Sequence, residues 1–298
     1  MSQRRRSNQD ALSESARQLA VAGMATPRLD AEVLLQHVLG ISRTELFLRY
    51  PDPIGDDDKH RYKELIERRL RGEPVAYLTG AREFMGLSFE VAPGVLIPRP
   101  ETELLVEWAL AALAVIRNPL VVDVGTGSGA IAISVVALAT APVRVVATDV
   151  SPVALGIARR NADAILNEVR RPWLKFQEGS LLEPISGQVN LVLANLPYLT
   201  PDQIAQNPDL AVEPRVALDG GVDGLDLVRD LIDDLQRMLG PGGGVGLELD
   251  PSQATKVERL LRDLYPGRQV RKIRDLAGLA RHVVMDPHPT SCAAFHNG

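Results

Sequence analysis

The chain has 298 residues, 45% of them hydrophobic, and a formal net charge of −5. That length accommodates one large domain and one small one, with a composition ordinary for a globular protein. The acidic balance lacks the global basic footprint that duplex binding favours, and no apolar run reaches membrane-spanning length, so neither direct nucleic-acid binding nor a membrane role is expected.

Residues 1 to about 75 read as a small helical domain. Arg4-Arg5-Arg6 is not followed by an apolar stretch, so it is not the start of a signal peptide. Leu12, Ala16 and Leu19 share one helical face. Ala31, Leu34, Leu35, Val38 and Leu39 keep the same spacing, with Gly40 as a natural stop. Tyr62, Leu65, Ile66, Arg69 and Leu70 repeat the pattern before Gly72 and Pro74. Such stripes form the core of a bundle. The bundle carries no evident chemistry, which makes it a candidate docking domain. Residues 76–99 are aromatic and β-rich, with Gly86 and Pro93-Gly94, and read as a hairpin linker.

From residue 100 to 286, helical and strand patterns alternate, which implies a mostly parallel sheet covered on both faces. Strands are expected near 120–124, 143–148, 173–177, 189–194 and 244–249. Helices are expected near 101–116, 128–140, 152–167, 224–239 and 251–264, and two late β-like stretches, 268–274 and 281–285, complete seven strands as an antiparallel pair. The connection 199–223 is long and reads as nearly structureless, and such loops in compact domains are usually functional. Residues 287–298 read as a tail. It contains Cys292, the sole cysteine, so intrachain disulfides are excluded, which fits a reducing cytoplasm. The five histidines are scattered without ligand spacing, and no metal is expected.

Two local patterns carry chemistry. The first is Leu120 to Val124 running into Gly125-Thr126-Gly127-Ser128-Gly129 and an Ala/Ile-rich stretch, which is strand, tight turn, helix. Glycines let backbone approach a ligand, and the helix start offers free N–H groups. The next strand ends in Asp149, placed to take ribose hydroxyls. This loop fits a dinucleotide as well as S-adenosylmethionine. Asp123, two residues ahead of the first glycine, favours the methyl donor, because an anion suits a methionine ammonium and not a pyrophosphate.

The second pattern is Asn195-Leu196-Pro197-Tyr198 at the end of the apolar run 189–194. A lone pattern of this kind is often only a strand end followed by a turn. Here Asn195 offers a carbonyl acceptor, Pro197 fixes the direction of the Leu196 carbonyl, and Tyr198 supplies a ring. Two acceptors aimed at one point suit a planar NH2 group held for attack on an electrophile. Arg99 and Glu101 read either as an ion pair bracing this site or as a helix N-terminal charge pattern, and Glu248 as a solvated or structural strand end.

Over nearly its whole length the chain resembles the PrmC/HemK family, the N5-glutamine methyltransferases of peptide chain release factors. The resemblance rests on Ile97-Pro98-Arg99-Pro100-Glu101-Thr102-Glu103, the 125–129 loop, Asp149, Asn195 to Tyr198, and Glu213-Pro214 with Ala217 to Asp226. It implies a Rossmann-like class I methyltransferase domain behind a helical bundle, using S-adenosylmethionine and releasing S-adenosylhomocysteine. The substrate implied is the glutamine of the Gly-Gly-Gln segment in class-I release factors. The resemblance further implies that Asn195, Pro197 and Tyr198 are catalytic and that, with Leu196, they hold the substrate. The donor would be held by Asp123, Gly125, Thr126, Gly127, Ser128, Gly129, Asp149, Ser180, Leu181 and Asn195.

Two departures stand out. Leu196 replaces a proline usual in the family, which is expected to loosen the mouth, and Ser180 stands where the family often has an acid, with Glu178 as the alternative. The same mouth suits an adenine N6 amine, so a nucleic-acid methyltransferase is the alternative function, though neither a basic groove nor a target-recognition domain is evident. A non-enzymatic adaptor keeping a methyl-donor fold is the third reading. The intact glycines, Asp149 and Asn195 argue against it.

Overall fold

The computed structural model describes residues 6–288; Arg4, Arg5, Cys292 and most of the expected 287–298 tail lie outside the described residues. The chain divides into two compact units, Met1–Ala81 and Arg82–Gly298.

The first unit is built from helices α1 (Asn8–Val21), α2 (Pro27–Leu39), α3 (Arg43–Leu48), α4 (Asp56–Leu70) and α5 (Val75–Thr79). Local chemistry sets their ends. Ser7 with Asp10 and Ser42 with Glu45 form reciprocal capping boxes at the starts of α1 and α3, and Gly40 closes α2 in the left-handed conformation. Leu12, Leu19, Leu34, Leu35, Leu46, Tyr62 and Ile66 fill the interior, where the Tyr62 hydroxyl donates to the Ala31 carbonyl at 3.0 Å. Arg69, on the expected stripe, is instead the partner of buried Asp30 at 2.8 Å. The two short helices α3 and α5 were not expected. Six and five residues are too few to show a helical period.

The hairpin of β1 (Ala81–Phe84) and β2 (Leu87–Glu90) turns on Met85 and Gly86, both at positive φ, and Met85 N–H donates to Glu103 Oε1 at 2.7 Å. The linker expected over 76–99 is therefore helical in its first residues and hairpin only over 81–90.

Beyond it come α6 (Glu103–Leu113), β3 (Leu120–Val124), α7 (Ala130–Leu138), β4 (Arg144–Asp149), α8 (Pro152–Ile165), β5 (Leu174–Glu178) and β6 (Val189–Ala194). They are followed by α9 (Pro201–Gln206), α10 (Asp226–Met238), β7 (Leu239–Glu248), α11 (Ala254–Leu264), β8 (Val270–Arg274) and β9 (Ala280–Met285). The seven strands form one sheet in the order β5-β4-β3-β6-β7-β9-β8, parallel from β5 to β7 and antiparallel at β9 and β8.

Each face of the sheet carries its own core. Leu105, Trp108, Ile131, Val135 and Ala162 from α6, α7 and α8 cover one face, and Leu231, Leu235, Val257 and Leu261 from α10 and α11 cover the other. Gly246 is small because a Cβ there would lie 2.5 Å from the Trp108 ring.

Two expectations are corrected in this unit. β7 begins at Leu239 rather than near 244, because Gly240-Pro241-Gly242-Gly243-Gly244 hides the strand period and the ladder with β6 shifts register there. The 199–223 connection is not structureless. It holds α9, 3₁₀ turns at Pro208–Val212 and Arg215–Ala217, and a parallel bridge from Leu199 to Asp219.

Candidate active site

The glycine loop follows β3, Asp149 ends β4 and Asn195 follows β6, so all three lie at the carboxyl ends of central parallel strands, where open α/β sheets bind their ligands. Gly125 and Thr126 both donate backbone N–H to the Thr148 carbonyl at 2.9 Å, which pins the loop after β3 to the end of β4. Gly129 opens α7 at φ +85°, and a Cβ there would lie 2.7 Å from the Ile133 side chain. Ser128 lends its carbonyl to Asn161 Nδ2 at 2.9 Å.

Asp149 closes the turn from β4. Its Oδ2 accepts the Gly127 N–H at 2.8 Å and its Oδ1 the Ser151 N–H at 2.9 Å. Burial raises its pKa, opposed by these backbone N–H groups. The carboxylate is oriented before any ligand arrives.

These segments wall a cavity of about 200 Å³. Gly125 and Gly127 form part of it, with Asp149 and Ser151 from the end of β4, Gly179 to Leu181 after β5, and Asn195 to Pro197 after β6. Val95 and Leu96 contribute from the segment before α6, and Val216 and Ala217 from the connection to α10. Ser180 lines the cavity, whereas Glu178 is exposed and does not.

Asp123, Thr126, Ser128 and Gly129 shape the loop from behind and are not wall residues. Asp123 is fully buried: its Oδ2 accepts from Thr126 Oγ1 at 2.6 Å and from Ala132 N–H at 3.1 Å, while Oδ1 finds no partner among the described residues.

Burial pushes the Asp123 carboxyl up to about 7. The folded chain therefore keeps a proton that the unfolded chain releases near pH 4, at about the ordinary aspartate pKa. This stabilisation is complete below that value and is lost as pH rises through about 7. Asp123→Asn keeps the shape and removes the titration. Denaturant unfolding at several pH values is expected to show the variant gaining stability relative to its parent between about pH 4 and 7; a constant offset contradicts this.

A second cavity of about 300 Å³ lies on the other side of Asn195. Arg99, Tyr198, Leu199, Asp250 and Arg281 line it, and it shares Leu96, Asn195 and Ala217 with the first. Asn195 is the one polar side chain common to both walls. Its Nδ2 donates to Thr102 Oγ1 at 3.2 Å, and its acceptor end, Oδ1, has no protein donor among the described residues. Burial, with the Glu248 carboxylate second, pushes the Tyr198 hydroxyl well above the usual tyrosine range, so it stays protonated.

The expected Arg99–Glu101 pair is corrected. Arg99 pairs with buried Glu213, whose other oxygen accepts the Ile97 N–H at 3.1 Å. Glu248 is buried rather than solvated, with His282 Nε2 at 3.4 Å from it.

Leu196 is buried in a packed position, and its Cδ2 lies 3.3 Å from where a Cβ on Gly125 would stand. Leu196→Pro retains the carbonyl and loses part of this contact. The expected result is a stability loss of about 1–2 kcal/mol with turnover within a few-fold of the parent, read from thermal unfolding and initial rates. A large loss of turnover at unchanged stability contradicts it.

The glycine turn and acid beneath a seven-stranded sheet with an antiparallel end, together with the Asn-x-Pro-Tyr mouth, define a class I S-adenosylmethionine-dependent methyltransferase. The fold matches the catalytic domain of hMettl16 in complex with the MAT2A 3'UTR hairpin 6, at 17% identity and TM-score 0.54, covering 73% of this chain and 81% of that one. It also matches the T. thermophilus 16S rRNA N2 G1207 methyltransferase RsmC in complex with AdoMet and guanosine, at 18% identity and TM-score 0.50, covering 70% and 50%.

The PrmC N-terminal domain family matches residues 10–80, and the ribosomal protein L11 methyltransferase (PrmA) family matches 100–200. The release factor glutamine methyltransferase of Deinococcus radiodurans is 42% identical, covering 92% of this chain and 96% of its own length. Those of Moorella thermoacetica and Burkholderia pseudomallei are 40% and 44% identical, covering 91% and 85% of this chain and 95% and 90% of theirs. The chain belongs to the release factor glutamine methyltransferase family.

Proposed function

We propose that this chain methylates the side-chain amide nitrogen (N5) of the glutamine in the Gly-Gly-Gln segment of class-I peptide chain release factors. The observation that carries the reading is Asn195, the one polar side chain shared by two adjoining cavities, with its donor end tied to Thr102 and its acceptor end uncommitted.

The smaller cavity fits S-adenosylmethionine by its donor set. Glycine backbone at Gly125 and Gly127 admits close approach, the pre-oriented Asp149 carboxylate suits vicinal ribose hydroxyls, and Val150 and Leu181 offer apolar surface to a base with Ser180 beside them. Bound there, the donor supplies an electrophilic methyl group on sulfur and leaves as S-adenosylhomocysteine. Asp123, Thr126, Ser128 and Gly129 act on donor binding through the loop they shape.

At the wall between the cavities, Asn195 Oδ1 and, from the lining of the smaller one, the Leu196 carbonyl accept the two N–H protons of the substrate amide. This draws electron density onto a nitrogen otherwise delocalised into its carbonyl, and turns that nitrogen toward the donor. Pro197 holds the carbonyl's direction, and Tyr198, kept neutral, packs against the flat amide. The nitrogen–carbon bond forms as the sulfur–carbon bond breaks, and the proton leaves the nitrogen to solvent.

The helical unit, matched by the PrmC N-terminal domain family, docks the release factor. Such a factor places the enzyme in the cytoplasm, and no described helix is long and apolar enough to cross a membrane. Deleting residues 1–81 is expected to lower methylation of the whole factor by about 10- to 100-fold more than methylation of a short Gly-Gly-Gln peptide, because docking raises the effective substrate concentration. Transfer of a labelled methyl group to both substrates measures it; equal losses on both end the docking role.

A further inference from the structure

Beyond the residues that line the cavities, we infer that Gln253 is the positioning residue that holds the substrate mouth and the 219–226 loop in one arrangement. Gln253 sits at the start of α11, is buried, and touches neither cavity. Its single side-chain amide joins three segments. Nε2 donates to the Tyr198 carbonyl at 2.8 Å and to the Asp223 carbonyl at 3.1 Å, while Oε1 accepts the Asp250 N–H at 3.1 Å. Two acceptors on one side and a donor on the other admit only this orientation of the amide.

The surrounding backbone is shaped to bring these partners together. A Cβ on Gly224 would stand 2.1 Å from the Tyr198 carbonyl oxygen and 2.3 Å from Gln253 Nε2. A Cβ on Gly220 would stand 2.5 Å from the Pro197 carbonyl oxygen. Leu199 and Gly220 exchange backbone hydrogen bonds with their neighbours across the same seam: Leu199 N–H to the Leu218 carbonyl at 3.0 Å, and Gly220 N–H to the Leu199 carbonyl at 2.8 Å. Asp223, whose carbonyl Gln253 holds, is fixed from outside by Lys256 at 2.8 Å and by Arg229. The loop that carries Val216 and Ala217 to the cavities is thus fastened to Pro197-Tyr198 at one seam, and Gln253 is the side chain that closes it.

No shorter or apolar side chain reproduces this. Methionine fills the volume but leaves two part-buried carbonyls and one part-buried N–H without this partner. Glutamate retains the Asp250 bond and sets an anionic oxygen against two carbonyl oxygens. When that carboxyl is protonated, its O–H restores one donor. The donor cavity is built on the other side of Asn195, on Gly125, Gly127 and Asp149, and Gln253 does not touch it.

The inference rests on the glutamine methyltransferase reading only for its kinetic arm, so its test has two arms. Without substrate, hydrogen exchange of Gln253→Met is expected to quicken by at least about tenfold over residues 198–200 and 219–226, with segment 123–132 unchanged. With release factor, Gln253→Met and Gln253→Glu are expected to lower kcat by about 30- to 100-fold, the scale of a small misplacement at a reacting centre. Methyl-donor affinity by calorimetry stays within about twofold, and Gln253→Glu recovers activity as pH falls whereas Gln253→Met does not. Uniform exchange across the second unit, donor affinity falling in parallel with kcat, or kcat within about threefold of the parent overturns it. Should the parent methylate no release factor, the methyltransferase reading fails, while the exchange arm alone still upholds or overturns the role of Gln253.

Discussion

Asn195→Ala is expected to lower turnover on a release factor by about 10² to 10³-fold, the scale of losing one preorganised transition-state contact. The side chain stands at the wall common to the two cavities, and its Nδ2 bond to Thr102 leaves Oδ1 as its uncommitted acceptor. Alanine removes one of the two acceptors proposed for the substrate's NH2 group and frees Thr102, without touching the glycine loop or Asp149. Donor affinity should therefore change by no more than a few-fold. Single-turnover rates with saturating donor, set beside calorimetric donor titrations, separate the two effects. Turnover within a few-fold of the parent would show that the mouth is not the reacting centre.

Asp149→Ala is expected to act in the opposite pattern, weakening the donor by about 1–3 kcal/mol, roughly 5- to 150-fold in Kd. Its carboxylate spans Gly127 N–H and Ser151 N–H and faces the cavity between them. Removing it strands both backbone donors and the ribose hydroxyls they pre-orient it to meet. At saturating donor, turnover should recover most of its parent value, because Asn195 and Leu196 remain in place. Calorimetry showing unchanged donor affinity, or a turnover loss that saturating donor does not relieve, contradicts this assignment.

The site was legible where its chemistry is local. Gly125 to Gly129, Asp149 and Asn195 to Tyr198 are short runs at strand ends, and a strand period followed by glycine or by Asn-x-Pro announces itself. The five central strands and the closing antiparallel pair emerged for the same reason, as β-branched runs bounded by turns.

What the sequence hid is long-range. Thr102 meets Asn195 across 93 positions, Glu213 meets Arg99 across 114, and Gln253 meets Tyr198 across 55. None of these residues is unusual for its local element, and only the packed sheet brings them together. Glu101 lies only two positions from Arg99, yet Glu213 is the buried acid and takes the cation. The connection 199–223 read as structureless because its helix has only six residues and its 3₁₀ turns carry no hydrophobic period.

The most direct test is mass spectrometry of class-I release factors after incubation with this chain and isotopically labelled S-adenosylmethionine. The labelled methyl group is expected on the side-chain nitrogen of the Gly-Gly-Gln glutamine, present with the parent and nearly absent with Asn195→Ala. Release factors left unlabelled, while adenine in RNA or DNA acquires the methyl group in an Asn195-dependent way, would contradict the assignment of glutamine as substrate.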